Sequence, residues 1–513
     1  MGYMAGLSIW RTGPRLLSGV RGFHTSSLRQ ITLSERIFGT TSIFKQDLIK
    51  PFVGSPEPNY VAGEDPSKPA ITKLDNGVRV VTQDFGRPMS AVAAFVDISP
   101  RYETLETAGS SYMLEKLAFK GSSKRPPVQV IRDIENLPAS FTATASREMM
   151  ASCAEGLRYK SKDILTALIE SSVLSRPMAD VSDYETKEYI QEELTAMKAL
   201  LQDDIKEQAE NAQLIILDAL HDAAYNGRTL GHPTIVTDSM LKKITPESLH
   251  MFMMELLTGE NIVISGCDVD HDETVAVVSE MLGHLPKGTS NRSRLPPKYT
   301  GGEVRIRSED QARIAIGFEG YRWEDKEIVA QFVLSHLMGG GDYFSTGGPG
   351  KGLLTRLYTD VLNRHHWVNS AITSNLLYAD SSVFAIQMSS FANKMEDLTE
   401  TAISAAQSLA KAPTPVELER AKRQAIGNML ANTDGRLVTC EDLGRQVSIY
   451  DKYTTPEEFV TRIEKLTATD LKSVGEKLLS SNPSVALMGD LQTAPEQGQF
   501  KSMLTGGTKS IKA

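Results

Sequence analysis

The chain has 513 residues, enough for two to four domains that each build a core. Hydrophobic residues make up 41% and charged residues 23%, an ordinary globular mix, and no stretch approaches the roughly 20 unbroken apolar residues of a membrane-spanning helix. With 55 Lys and Arg against 64 Asp and Glu the net charge is −9, which argues against nonspecific binding of nucleic acid, and three isolated cysteines, Cys153, Cys267 and Cys440, exclude a disulfide framework and a cysteine zinc site.

Residues 1–30 carry four arginines, no lysine and no acid, with hydroxyls at Ser8, Thr12, Ser18, Thr25, Ser26 and Ser27. Arg-rich, Ser-rich and acid-free is the transit-sequence pattern. The stretch from Arg21 through Phe23 to Ser26 is similar to the Arg-x-Phe-x-x-Ser pattern of mitochondrial presequences that are trimmed twice, which implies delivery to the mitochondrial matrix. Without those arginines the chain holds 51 bases against 64 acids, a net of about −13. Residues 31–64 form an N-terminal arm whose proline-rich run from Pro51 to Pro58 is extended or irregular.

An internal repeat organises the remainder. Lys243-Ile-Thr245 opens a helix, continued by Leu256-Leu257 and the apolar run Ile262–Gly266; Lys465-Leu-Thr467, Leu478-Leu479 and Val485–Gly489 repeat that order 222 to 223 residues later. Each copy predicts a Thr-capped helix followed by a short buried strand ending at Gly. A second pair agrees, Ala91–Asp97 with a helix through Leu117, and Arg313–Phe318 with a helix through Leu337. The expected organisation is two duplicated α/β domains of the α+β sandwich type, each a mainly antiparallel sheet packed with helices. They are placed at 65–283 and 304–498, joined by a polar linker at 284–303 and followed by a tail, 499–513.

Near the first helix the sequence reads Tyr112-Met-Leu-Glu115-Lys116, and positions 112, 115 and 116 share one helical face. This resembles the inverted zinc motif His-x-x-Glu-His of the pitrilysin-like metallopeptidases, in which two imidazoles bind zinc and the glutamate activates water. The resemblance implies a further carboxylate about eighty residues on, and Glu193 stands there. Both histidines are replaced, by Tyr112 and Lys116, and no histidine lies between His24 and His221. The expectation is therefore a degenerate site with no metal and no catalytic residue in this chain.

The segment Gly339–Gly352 holds seven glycines in fourteen residues: Gly339, Gly340, Gly341, Gly347, Gly348, Gly350 and Gly352, interleaved with Asp342, Tyr343, Phe344, Ser345 and Lys351. A phosphate-cradling loop fails, because Ser345 stands where the leading Gly belongs and Gly352 where Ser or Thr must follow the Lys. A disordered linker is the plain alternative. A mobile loop of bare backbone plus aromatic contacts suits capture and release of an extended peptide. Running on to Arg356-Leu-Tyr358, the segment resembles the glycine-rich loop of alpha-type, noncatalytic subunits in the mitochondrial processing peptidase family, and Asp342-Tyr343 departs from the Gly-Ser expected there. The resemblance implies a heterodimer around an acidic cavity: a beta subunit carries the zinc and cleaves, while the alpha subunit binds basic presequences and needs no cofactor of its own. A structural core subunit of the cytochrome bc complex is the alternative of another class.

The row Glu185, Glu188, Glu192, Glu193 near helical spacing reads as a solvated face, and His336, His365 and His366 as polar or packing residues. The three cysteines read as reduced, partly buried thiols.

Overall fold

The computed structural model describes residues 68–506 apart from 176, 178, 180, 181 and 345–349. The expected presequence and the arm at 31–64 lie outside these residues. Two six-stranded sheets are present. The first contains β1 (Ala70–Lys73), β2 (Arg79–Gln83), β3 (Met89–Val96), β4 (Ala139–Ala145), β5 (Met150–Leu157) and β6 (Ile262–Cys267), in the order β1-β2-β6-β3-β5-β4. The second contains β7 (Gly302–Arg307), β8 (Gln311–Glu319), β9 (Gly340–Asp342), β10 (Val368–Leu377), β11 (Ser382–Phe391) and β12 (Ser484–Gly489), in the order β7-β12-β8-β11-β10-β9. The run β2-β6-β3-β5-β4 thus recurs as β7-β12-β8-β11-β10. Each copy has one parallel pair, β2 with β6 and β7 with β12, in an otherwise antiparallel sheet.

The repeated caps form as the sequence predicts. Thr245 begins the helix Pro246–Leu256 and Thr467 the helix Ala468–Ser480, each with a reciprocal capping box, through Ser248 and Asp470. A cap of this kind contributes about 1 kcal/mol by satisfying donors that the first turn leaves open.

Each sheet packs one face on helices of its own half and receives on the other a helix from the opposite half. The helix Ala212–Tyr225 lays Ile216, Ala219 and Leu220 on Ala315, Val383, Ala385 and Ala486 of the second sheet. In return, the helix Arg436–Tyr450 lays Cys440, Leu443 and Val447 on Ala91, Ala93, Phe95 and Val263 of the first. Approach there is so close that a Cβ on Gly444 would stand 2.1 Å from the Phe95 ring. This exchange explains why β6 is buried along its whole length instead of alternating.

The exchange also revises the domain picture, because neither 65–283 nor 304–498 covers its own sheet unaided. The connecting stretch is structured: Asn291 is buried and donates to the carbonyls of Asp97 (2.9 Å) and Leu256 (3.1 Å). The second half continues past 498, since the helix Phe500–Thr505 buries Phe500 and Leu504 in its core. Between the halves, Arg101 is buried, donates to both carboxylate oxygens of Asp380 (3.1 and 2.6 Å) and reaches the Leu295 carbonyl (2.6 Å). Cys153, Cys267 and Cys440 all lie in the cluster under the exchanged helix, and burial pushes the Cys153 and Cys267 thiols up to about 12.

Candidate functional site

The site that the sequence predicts to be degenerate falls on the helix Ser110–Leu117. Glu103 accepts hydrogen bonds from the Gly109 and Ser111 amides, both at 2.7 Å, and so places a carboxylate at the positive end of the helix. Burial pushes that carboxyl up, with the two amides opposing.

The face carrying Tyr112, Glu115 and Lys116 turns toward the long helix Tyr184–Glu210. Lys116 Nζ lies 3.3 Å from Glu115 Oε1 and 3.8 Å from Asp204 Oδ2, and 5.1 Å from the centre of the Tyr112 ring. The other oxygen of Glu115 accepts from the Ala145 amide at the end of β4 (2.7 Å), and the Tyr112 hydroxyl accepts from Gln208 Nε2 (3.3 Å). Burial raises the Tyr112 phenol and opposes the Lys116 charge, but Glu115, Tyr112 and Asp204 together outweigh it and hold the ammonium above its usual range.

These residues do not fit zinc. A fixed ammonium occupies the face where the cation would bind, and Glu115 is committed to an amide and to that ammonium. Among the described residues no three His, Cys, Asp or Glu side chains are grouped to hold a metal.

The structure does not bring Glu193 to this face. It is half-buried on the same long helix, eleven residues before Asp204, which is three turns or roughly 16 Å away at 1.5 Å per residue. Asp204 takes the place expected of Glu193. The signal that could find it is the antiparallel match of two i, i+4 pairs, Tyr112 with Gln208 and Lys116 with Asp204. Glu185, Glu188 and Glu192 are exposed on that helix, as a solvated face should be.

The glycine-rich segment divides into parts of different character. Its beginning is the edge strand β9, paired with β10 through Gly340–Ile372, Gly341–Ala371 and Asp342–Ser370. Here the expectation of a mobile loop is corrected, because the missing side chains are used for packing. A Cβ at Gly339 would stand 2.4 Å from Thr355, at Gly341 2.6 Å from the Tyr358 hydroxyl, and at Gly340 (φ +116°) 2.1 Å from the Ala371 carbonyl oxygen.

Tyr343 and Phe344 follow, 43% and 97% exposed, with the Tyr343 amide donating to the Asn369 carbonyl (2.8 Å). Ser345, Gly347 and Gly348 lie outside the described residues. Beyond them a Cβ added at Gly350 (φ +86°) would meet nothing within 4 Å, Lys351 is exposed, and the Gly352 carbonyl accepts from the Thr355 amide and hydroxyl at 3.0 and 2.7 Å. Arg356 anchors the far end, bonded to Glu417 (3.1 Å) and to the carbonyls of Ser408 (2.7 Å) and Lys411 (3.1 Å). Two fixed ends therefore present an exposed aromatic pair and an exposed lysine. Of the nearby histidines, His336 is half-buried and lowered by burial, while the His366 ring lies 6.0 Å from Tyr343 and the His365 ring 5.5 Å from Trp367.

Residues 79–238 match the family model described as insulinase (peptidase family M16), and residues 243–425 the peptidase M16 inactive domain. The alpha subunit of the mitochondrial-processing peptidase from Solanum tuberosum is 31% identical over 452 residues, covering 87% of this chain and 86% of that protein. The chain belongs to the M16 peptidase family, in the group of mitochondrial-processing peptidase alpha subunits. The human alpha subunit is 29% identical over 96% of both chains, and that of Caenorhabditis elegans 31% identical over 82% of this chain and 85% of that one. A chain of complex III2 from Candida albicans, with Inz-5 bound, shares the fold at a TM-score of 0.68 and 18% identity, over 84% of this chain and 99% of that one. The second M16 match starts at 243, yet β6 at Ile262–Cys267 completes the first sheet, so the boundary between the two matches is not the boundary between the sheets.

Proposed function

We propose that this M16 chain is the noncatalytic, substrate-recognising subunit of a mitochondrial presequence peptidase. It acts in the mitochondrial matrix, holding the basic N-terminal presequences of imported precursors for cleavage by a zinc-bearing beta subunit with which it forms a heterodimer. The observation that carries this reading is Lys116: the site helix keeps its place and its cap, but an ammonium replaces the metal. The relatives named above as alpha subunits support the same assignment. A net charge of about −13 outside residues 1–30 attracts an Arg-rich peptide, and Tyr343, Phe344 and Lys351 with the adjoining glycines offer it exposed contacts. The zinc belongs to the partner, and this chain needs no cofactor. Among the described residues no helix is long and apolar enough to cross a membrane.

Reconstitution with a beta subunit tests the reading. The expected result is that presequence cleavage requires both chains, that zinc follows the beta subunit, and that replacing Gly347, Gly348 and Gly350 together by Ala weakens peptide binding or product release with zinc unchanged. Cleavage by the beta subunit alone at full rate, or recovery of this chain only with a cytochrome complex, would move the assignment to a structural subunit.

A further inference from the structure

We propose that the apolar cavity where the exchanged helix Arg436–Tyr450 meets the other helices of the second half is a binding site for a small uncharged aromatic molecule. The cavity shares no residue with the glycine-rich segment or with the face of Tyr112, Glu115 and Lys116.

A helix used on two sides creates this space. Cys440, Leu443 and Val447 of Arg436–Tyr450 lie on the first sheet, while Asp442 and Gln446, four residues apart, turn toward the helices of their own half. There the helices Ile328–Met338, Pro415–Thr433 and Pro456–Glu464 surround a cavity of about 160 Å³. Val329, Phe332, Met429, Phe459 and Ile463 form its walls, with Trp323 beside them. The exchanged helix cannot slide across to lie on these residues, because Gly444 holds it against the Phe95 ring of the first sheet, too close for even a Cβ. A gap onto which the surroundings cannot collapse persists as a cavity.

The chemistry of the walls selects the occupant. Asp442 accepts from Gln446 Nε2 at 2.9 Å, and the same nitrogen donates to the Thr454 carbonyl (3.2 Å) while the Gln446 oxygen accepts from the Thr454 amide (2.9 Å). Both polar side chains contributed by the exchanged helix are therefore engaged with each other and with the backbone. Burial pushes the Asp442 carboxyl up, with the hydrogen bonds of Gln446 and Tyr453 opposing, so charge is already disfavoured at this wall. The rest is apolar and in part aromatic. Trp323 stands edge-on to Tyr450, ring centres 6.4 Å apart, and Phe332 and Phe459 supply two further rings. An apolar cavity of roughly 150 Å³ lined by Leu, Ile and Phe stays dry and takes up benzene. Rings that meet edge-on or offset gain further. A single aromatic ring matches this volume, whereas a charged group would lose its hydration beside polar side chains that are already engaged.

The test uses the full chain and fluorobenzene, followed by fluorine NMR. The ligand signal should shift and broaden saturably with a Kd on the order of 1 mM, and neither benzoate nor benzylammonium should compete. Met429→Trp and Thr433→Phe, at half-buried positions beside the cavity, fill the space and should each weaken binding on the order of tenfold. Absence of saturable binding overturns the site, and so does binding at wild-type affinity in both variants, which would put the ring elsewhere. Competition by benzoate or benzylammonium overturns the chemical class. Repeating the titration after a beta subunit is added separates a free ligand from a protein one: loss of fluorobenzene binding there overturns the choice of a small molecule, because a side chain of the partner then fills the cavity. If Met429→Trp misfolds, Thr433→Phe and the competition pattern decide.

Discussion

The helix Ser110–Leu117 and its counterpart Ile328–Met338 hold equivalent places in the two halves, yet they have little in common on their surfaces. The first presents Tyr112, Glu115 and Lys116 to a neighbouring helix, and its Glu115 reaches the end of β4. The second is apolar nearly all round, with Ile328, Val329, Ala330, Val333, Leu334, Leu337 and Met338 buried, and it delivers the chain into the glycine-rich segment. A duplicated frame whose faces are closed by exchanged helices leaves each copy of this position free to change. One copy carries the face of Tyr112, Glu115 and Lys116, and the other leads into the glycine-rich segment.

Restoring the first position is the sharpest way to probe that difference. The chain is expected to bind no stoichiometric zinc, and the double change Tyr112→His and Lys116→His should convert it to one zinc per chain by elemental analysis. Asp204 faces those positions, so adding Asp204→Ala should abolish the gain while adding Glu193→Ala should not. Dependence on Glu193 instead would show that the long helix sits three turns away from the register described above.

Breaking the frame should cost most in stability. Arg101→Ala leaves Asp380 without its bidentate partner and frees the Leu295 carbonyl, and loss of one member of a buried pair costs about 3–5 kcal/mol. Urea unfolding should show the loss. A change under about 1 kcal/mol would mean that the exchanged helices alone hold the halves together.

The repeat, its capped helices and the strands at its centre were legible because they depend on local chemistry: Thr245 and Thr467 can be recognised as caps without knowing what the helices touch. The exchange of Ala212–Tyr225 and Arg436–Tyr450 was not, because an apolar helix face does not say which sheet it covers. Gly444 is the one local sign, a glycine inside a helix where a ring must approach. Glu193 and Asp204 show a related limit. Eleven residues make three turns, so both lie on one stripe of the helix, and periodicity selects the stripe without selecting the level. The glycine-rich segment could be located from composition, but composition treats Gly340 and Gly350 alike.

Those two glycines give the next comparison. Gly340→Ala drives a Cβ to within 2.1 Å of a carbonyl oxygen at a positive φ and should cost about 2–3 kcal/mol, loosening β9 from β10. Gly350→Ala meets open space and pays only for its left-handed backbone, about 1 kcal/mol. Thermal unfolding of the two variants should rank them in that order, while presequence affinity should respond to Gly350→Ala more than its stability does. Equal stability losses would mean that β9 contributes little to the fold.

The smallest effect compares two carboxylates of the first half. Burial opposes the Glu170 charge, but Arg125, with Nε at 2.6 Å, and Ser122, at 2.9 Å, outweigh it and hold the carboxyl below its ordinary range. A depressed folded pKa contributes stability that is present above the unfolded value, near 4.5, and is lost as pH falls through the folded one. Glu170→Gln should therefore lower the urea midpoint at pH 7 by an amount equivalent to about 1 kcal/mol, and the gap to wild type should close as the pH drops below 4.5. Glu148 has the opposite sign. Burial pushes its carboxyl up, with Arg292 and the Ala379 amide opposing, so the charged form weakens the fold at neutral pH and protonation relieves it. Glu148→Gln removes the buried charge and should leave the fold slightly more stable than wild type at pH 7, an advantage that disappears as the pH falls through the raised folded value. Parallel pH profiles for the two variants would show that burial and ion pairing do not divide these carboxylates as the contacts indicate.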